Sequence, residues 1–414
     1  MPEIEVTAMT FGPYAIARLD GAVVMVPNAA PGDRLEVNIA SRKRYFSVGE
    51  IDRVIVPGPH RRVAPCPFLP RCGGCDWQYL DYRAQLRAKS ELITAGLRRV
   101  NIEAGAENLI EPAPEEFGYR ARIRLKVGRD GKLGFYQLGT NRLVEIDRCM
   151  VAAPGIRIPN AFAIELWLNL EEIEVVQSGQ REVIVASMRK PPSAKEIELA
   201  TRIFEQDDKL QAVILRSSSR TVIGDPAISV AIEEGLDLIV DADLFSQVNH
   251  AQNRKLITTV MEMAAIDRGD QLLDIFCGAG NLSLPAAWRG ARVTGIDSDE
   301  LAVDAATRNA VRLGLADAKF IAGKATDAVN FLIRARHRPQ IVILDPPRTG
   351  AADLMEAIVK LQPRSIIYVS CDIATLTRDL GMLLAAGYRA KRVRAFDFFP
   401  NTHHAEIAAH LLLT

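Results

Sequence analysis

The first 56 residues alternate apolar and polar positions in short runs. EIEVTAM, YAIARL, AVVMV, RLEVNIA and VGEIDRVIV are separated by Gly12-Pro13, Asp20-Gly21 and Pro31-Gly32-Asp33. A period of two marks strands with one buried face, and Asp-Gly between such runs is a strong hairpin signal. About five short strands in so little chain predict a small β-barrel of the oligonucleotide-binding kind. The pattern then breaks. Pro57, Pro59, Pro65, Pro67 and Pro70 stiffen a connection carrying Cys66, Cys72 and Cys75. Helical spacing follows over roughly Tyr82 to Val100, with Leu86, Leu92, Ile93 and Leu97 on the apolar side. From 110 to about 240, strand and helix patterns mix. GYRARIRLKV places Arg120, Arg122, Arg124 and Lys126 at period two, so a strand sends these cations to one face and the aliphatics to the other. Beyond about 243, the buried runs QLLDIF, ARVTGID, AKFIAG, QIVILD and SIIYVS alternate with helix-length segments. That alternation predicts an α/β fold with a doubly wound, mostly parallel sheet, which binds ligands at the carboxyl ends of its strands.

Composition narrows the setting. A chain of 414 residues with 48% apolar residues predicts two or three folded domains, not a disordered chain. No apolar run is long enough to span a bilayer, and MPEIEVTAMT is neither basic nor apolar, so neither a membrane span nor a secretory signal is expected. A cytoplasmic setting keeps thiols reduced, so the six cysteines read as core packing, metal ligands or nucleophiles. A monomer is the default expectation. The 51 Lys+Arg balance 51 Asp+Glu, which argues against indiscriminate coating of nucleic acid and leaves room for a local basic groove. Residues 119–150 are such a locality, with eight Lys/Arg against three Asp/Glu. Four like charges abreast repel one another, so Arg120, Arg122, Arg124 and Lys126 point to an anionic ligand. Arg42, Lys43 and Arg44 beside Tyr45 and Phe46 suit RNA, with a solvated turn as the plainer alternative.

Candidate chemistry concentrates in the C-terminal half. LLDIFCGAGNLSLPAA reads as a strand, a glycine turn and a helix start, in which Gly278 and Gly280 let the backbone approach a ligand. Ser283 stands where a dinucleotide fingerprint has its third glycine. Asp297 ends the next strand, nineteen residues after Gly278, and suits two ribose hydroxyls. Asp274 suits a cationic, methionine-like tail better than a pyrophosphate. Together these favour S-adenosylmethionine over a nicotinamide dinucleotide. Asp345-Pro346-Pro347-Arg348 fixes Asp345 at the same sheet edge. Cys371 lies just past SIIYVS where a helix starts, and a helix N-terminus lowers a thiol's pKa. His403, His404 and Glu406 follow. Adjacent histidines on a strand point apart, which disfavours metal, whereas Glu406 makes a base for the thiol's chemistry if the fold joins them. Cys277 reads as small packing. Cys66-x5-Cys72-x2-Cys75, with Cys149 downstream, is a four-thiolate set for zinc or a [4Fe–4S] cluster.

The ordered set CPFLPRCGGC, FSQVN, DIFCGAGN, DPPR, YVSCD and FPNTHHAE resembles the RNA 5-methyluridine methyltransferases, particularly the bacterial 23S rRNA branch that carries an iron–sulfur cluster. The resemblance covers nearly the whole chain. It implies a TRAM-type RNA-binding barrel over 1–56, a central α+β iron–sulfur domain over 57–77 and 110–242, and a Rossmann-like class I methyltransferase domain over 78–109 and 243–414. It implies Cys371 as nucleophile, Glu406 as base, and Asp345 orienting cofactor and base. Gln247, Phe276, Asn281 and Asp297 match cofactor-lining positions, with Asp297 in place of the more usual Glu. It favours the cluster over zinc at the four cysteines, and 23S rRNA as substrate. A T-loop uridine of tRNA is the enzymatic alternative, and an inactive RNA-binding iron–sulfur protein the alternative of another class.

Overall fold

The computed structural model describes residues 1–104, 109–166 and 168–414. β1 (Glu3–Met9), β2 (Tyr14–Leu19), β3 (Ala22–Pro27), β4 (Arg34–Arg42) and β5 (Ser47–Val56) close into a barrel in the order β1-β2-β3-β5-β4. Its alternating positions Ile4, Val6, Ala15, Ala17, Val24, Val26, Leu35 and Val37 are buried inside. Asp20 and Gly21, at φ 49° and 82°, both take the left-handed conformation that tight hairpins favour. Trp77, Tyr79 and Leu80 pack beneath the barrel, and Trp77 Nε1 donates to Gly12 O at 3.2 Å. α1 (Tyr82–Arg98) is capped by Asp81, which accepts the Ala84 N–H at 2.8 Å. Its Ile93 and Leu97 enter the core of the C-terminal sheet instead. Residues 105–108, within the predicted 78–109 segment, lie outside the described residues.

β6 (Ile110–Glu111), β7 (Arg122–Val127), β8 (Leu133–Tyr136), β9 (Leu143–Glu145), α2 (Asn160–Leu166), β10 (Leu170–Ser178), β11 (Arg181–Met188), α3 (Ala194–Gln206), β12 (Leu210–Arg216) and β13 (Arg220–Gly224) follow. All of these strands but β6 form a seven-stranded sheet, β13-β12-β11-β10-β7-β8-β9. Ile123, Leu125, Ile173 and Val213 pack with Phe162 and Ala200 of the helices in one core. The hairpin β14 (Ala227–Glu233) and β15 (Leu236–Asp241) shares its core with Leu256 and Ile257 of the next helix.

That helix, α4 (His250–Ala264), opens the alternating half: β16 (Gln271–Ile275), α5 (Ser283–Trp288), β17 (Arg292–Asp297), α6 (Glu300–Arg312), β18 (Ala318–Ala322), α7 (Ala325–Arg334), β19 (Ile341–Leu344), α8 (Ala352–Leu361), β20 (Ser365–Ser370), α9 (Ile373–Ala385), β21 (Tyr388–Phe396) and β22 (Glu406–Leu413). The sheet runs β18-β17-β16-β19-β20-β22-β21-β6. β16 to β20 pair in parallel, and β22 is antiparallel to both its neighbours. β6 adds in parallel to β21, so a strand from far upstream edges this sheet. The chain steps outward from β16 to β18 and returns to β19 on the other side. Loops therefore part between β16 and β19, where a doubly wound sheet opens its ligand crevice. Among the described residues, no helix is long and apolar enough to cross a membrane.

Candidate active site and four-cysteine loop

The crevice begins where β16 ends. Phe276 takes a left-handed φ of 68°, and Gly278 and Gly280 follow at 51° and 97°. A side chain on Gly280 would meet Leu284 at 2.9 Å, whereas a Cβ on Gly278 would meet open space. The turn is pinned to β17, since the Gly278 N–H donates to Asp297 Oδ2 at 2.8 Å and the Asp299 N–H to Asp297 Oδ1 at 2.9 Å. Each oxygen keeps a lone pair for a ligand hydroxyl. Behind the turn, Asp274 is 1% exposed. Its Oδ2 accepts the Ser283 hydroxyl at 2.5 Å, while Oδ1 has no partner. Burial, with repulsion from Asp345 and Asp297, pushes this carboxyl up to about 7 against the Ser283 hydrogen bond. Asn281 and Asn253 of α4 exchange amide hydrogen bonds at 2.8 and 3.0 Å.

The next two strand ends deliver the reacting groups. Asp345 follows β19, Cys371 follows β20, and Glu406 begins β22 beside it. Cys371 stands between Ser370 and the α9 cap Asp372, which accepts the Thr375 N–H at 2.9 Å. Thr375 Oγ1 in turn donates to Arg348 O at 3.2 Å, tying the Asp-Pro-Pro-Arg loop to α9. The expected lowering of the thiol is overturned. Burial and the Glu406 charge push Cys371 up to about 11, against the opposing Arg348 guanidinium. One helix end is too weak to offset both. Burial raises Asp345 to about 7, and burial with the Asp345 charge holds Glu406 well above the carboxylate range. Burial thus favours the protonated form of both carboxyls, and the Asp345 charge adds to this at Glu406.

A family model described as tRNA (Uracil-5-)-methyltransferase matches residues 238–413. A protein of Pectobacterium atrosepticum named 23S rRNA (uracil(1939)-C(5))-methyltransferase RlmD is 32% identical over 429 residues, covering 99% of this chain and 93% of its own length. The chain belongs to the RNA uracil-C5 methyltransferase family. A protein of the same name from Salmonella choleraesuis is 32% identical over 96% of this chain and 92% of its own. The structure of Pyrococcus abyssi tRNA (uracil-54, C5)-methyltransferase in complex with S-adenosyl-L-homocysteine superposes with a TM-score of 0.74, covering 99% of this chain and 100% of that one. At 24% identity, that likeness is one of fold.

In this family member the basic strand does not present four free cations. β10 pairs with β7 and sets Glu172 opposite Lys126 and Glu174 opposite Arg124. Lys126 meets Glu172 at 2.6 Å, and Arg124 meets Glu174 at 3.5 Å. Arg122 is buried against Glu174 at 3.3 Å and donates to Ala242 O and Leu244 O at 2.8 and 2.9 Å. It therefore anchors the stretch that leads to Gln247. Arg120 lies outside the strand, over the Phe399 ring at 5.6 Å. Like-charge repulsion is answered by carboxylates some fifty residues downstream, so it supplies no argument for an anionic ligand. Arg42, Lys43 and Arg44 are exposed at the β4–β5 turn, with Arg44 5.0 Å from the ring centroid of Tyr45.

Cys66, Cys72, Cys75 and Cys149 line one cavity together with Phe68 and Phe135. The Gly73 N–H donates to Tyr136 O at 3.0 Å, an approach that any side chain on Gly73 would block at 2.7 Å. The Gly74 N–H points at Cys72 Sγ at 3.4 Å. Burial and mutual repulsion push Cys72 up to about 11 and Cys75 up to about 12. Among the described residues, no three His, Cys, Asp or Glu side chains converge closely enough to hold a single ion. His403 instead faces Asp76, and His404 faces Arg348. Sequence reasoning missed Asn253, Asp76 and the role of Arg348. Asn253 sits six residues after Gln247 and Asp76 directly after Cys75, so proximity to a motif was the available signal.

Proposed function

We propose that this enzyme methylates uracil C5 in RNA from S-adenosylmethionine, with 23S rRNA as substrate. The observation that carries the reaction is the meeting of Cys371, Asp345 and Glu406 at one sheet edge beside the Gly278–Gly280 turn. The crevice fits the cofactor. The unpartnered Asp274 Oδ1 suits its cationic tail, Asp297 the ribose, and the open side of Gly278 the close approach; Gln247, Phe276 and Asn281 are carried over from the family pattern as further lining residues. When bound, S-adenosylmethionine supplies an electrophilic methyl group.

Uracil C5 is too weak a nucleophile to take that methyl unaided. Cys371 adds as thiolate to C6, which makes C5 an enolate carbon. C5 then takes the methyl, Glu406 removes the C5 proton, and the C6–S bond breaks to return the thiolate. Arg348 opposes the burial that keeps Cys371 protonated, and the raised value of Glu406 makes it a stronger base once ionised. Asp345 lies between the two sites and holds Glu406 high. The target uridine must leave its stack to reach Cys371, which loops and bulges of RNA make inexpensive.

The substrate reading rests on relatives named as 23S rRNA enzymes over 99% and 96% of this chain. The barrel acts as a TRAM-type RNA-binding module, with Arg42, Lys43 and Arg44 as contacts and Tyr45, 76% exposed, as a stacking surface. Cys66, Cys72, Cys75 and Cys149 would hold a [4Fe–4S] cluster. Four thiols lining one cavity suit either zinc or a cluster, the family resemblance favours the cluster, and four ligands leave no open iron for chemistry. Cys72→Ser should lose the visible absorbance of the cluster.

With labelled cofactor and 23S rRNA, Cys371→Ala should incorporate no methyl, and Glu406→Gln should accumulate a covalent RNA adduct. Full activity in Cys371→Ala overturns the mechanism. Absence of cofactor binding in a calorimetric titration favours an inactive RNA-binding protein. Mapping 5-methyluridine in cells lacking the enzyme should show loss from 23S rRNA. Loss from tRNA alone would reassign the substrate.

A further inference from the structure

The loop leading into Glu406 is held from outside the catalytic sheet. Asp76, the residue after Cys75, accepts the His403 main-chain N–H at 3.1 Å and faces His403 Nδ1 at 2.5 Å. The Asp76 and Trp77 N–H groups both donate to Asn401 O, at 3.1 and 3.0 Å. Asn401 sits at a left-handed φ of 68°, and Gln85 accepts its N–H at 2.8 Å. From there the contacts run inward. The His403 ring lies 3.9 Å from that of His404, centroid to centroid, and His404 Nε2 meets Arg348 Nη2 at 3.3 Å. Arg348 faces both the Cys371 thiol and the Glu406 carboxyl.

We infer that Asp76, His403 and His404 are positioning residues that transmit the placement of the four-cysteine loop to Arg348, and through Arg348 to Cys371. The inference rests on Cys371 being the nucleophile. Arg348 belongs to an exposed loop, and a long side chain there has many rotamers to lose. His404 gives its guanidinium a fixed neighbour. Burial and the surrounding cations push His404 down to about 3, so its ring stays neutral and can accept the Arg348 N–H. A cation held beside a thiol favours the thiolate, and one that swings away does not. The relay gives the four-cysteine loop a catalytic consequence although it takes no part in the bond changes.

The test uses the full-length protein as purified, without chelators. Asp76→Ala, Asp76→Asn and His403→Ala are compared by the rate of iodoacetamide alkylation at Cys371, read by peptide mass spectrometry without RNA. Iron per chain and the covalent adduct with 5-fluorouridine-containing 23S rRNA plus S-adenosylmethionine are measured alongside. Alkylation should slow on the order of three- to tenfold in both alanine variants, as the thiolate fraction falls. Asp76→Asn should keep most of the rate, because its amide oxygen still accepts the His403 N–H. Iron content should hold in His403→Ala, which decides the matter if Asp76→Ala loses metal. Wild-type alkylation rates in both alanine variants would overturn the relay. Failure of the wild-type protein to form the RNA adduct would instead overturn the assigned reaction, with alkylation still reporting on the relay.

Discussion

Asp274→Asn should make the ligand-free protein more stable in alkali and a poorer binder of its cofactor. The carboxyl is buried with Oδ1 unpartnered, and it is raised from 3.8 to about 7. The folded state thus holds the proton more tightly than the unfolded chain. Stability from this group is complete below the unfolded value near 4 and is lost as pH rises through about 7. At 1.36 kcal/mol per pH unit, that loss has an upper limit of about 4 kcal/mol by pH 8. Asparagine keeps the shape and the Ser283 hydrogen bond without the charge. After local relaxation, a gain of about 1–2 kcal/mol at pH 8 would raise Tm by roughly 1–3 °C, shrinking toward pH 5. On the proposed assignment of Asp274 to the cofactor's cationic tail, the same change removes that carboxylate, so S-adenosylmethionine should bind at least about tenfold more weakly. Thermal melts at pH 5 and 8, with calorimetric titration of the cofactor, measure both. A Tm difference independent of pH, or unchanged affinity, would refute the reasoning.

Three further outcomes follow from the geometry. Because burial and the Asp345 charge hold Glu406 well above the carboxylate range and Glu406 must be ionised to act, kcat/KM should climb as pH rises from the acid side, a limb that Asp345→Asn should displace to lower pH. Lys89 and Asp397 form an ion pair at 2.5 Å with both side chains 0% exposed, and Lys89→Met would strand Asp397. A loss of about 3–5 kcal/mol in denaturant unfolding is expected, with partial recovery when Asp397 is also made apolar. Arg122→Met should weaken cofactor binding while leaving RNA affinity intact, since Arg122 holds the backbone before Gln247. Filter binding and calorimetry separate the two.

Local periodicity reported what local periodicity can. The barrel strands, the Asp20-Gly21 turn and the alternating half were legible because each depends on near neighbours in sequence. Cys371, Asp345 and Asp297 were legible because strand ends in a parallel sheet share one edge whatever their order. The basic strand was misread because Glu172 and Glu174 arrive on a pairing partner that no local pattern identifies. The direction of the Cys371 shift was misread for a related reason. A helix end is visible in sequence, whereas burial beside Glu406 is a property of the assembled sheet. Asp76–His403 and Lys89–Asp397 each join positions about three hundred residues apart, where spacing carries no information.

The pairing of Ile110–Glu111 with β21 also sets a timetable. α1 and β6 leave the ribosome early, yet the sheet they complete lacks its edge until Ala395 and Phe396 have been made. At ordinary synthesis rates that interval is on the order of 15–60 s. The barrel and the seven-stranded sheet can form during it, while the apolar side of α1 waits uncovered. A truncated chain beginning at α4 would lack both pieces. Such a chain should fold less stably than one that keeps α1 and β6, because part of the apolar surface they cover would stay exposed.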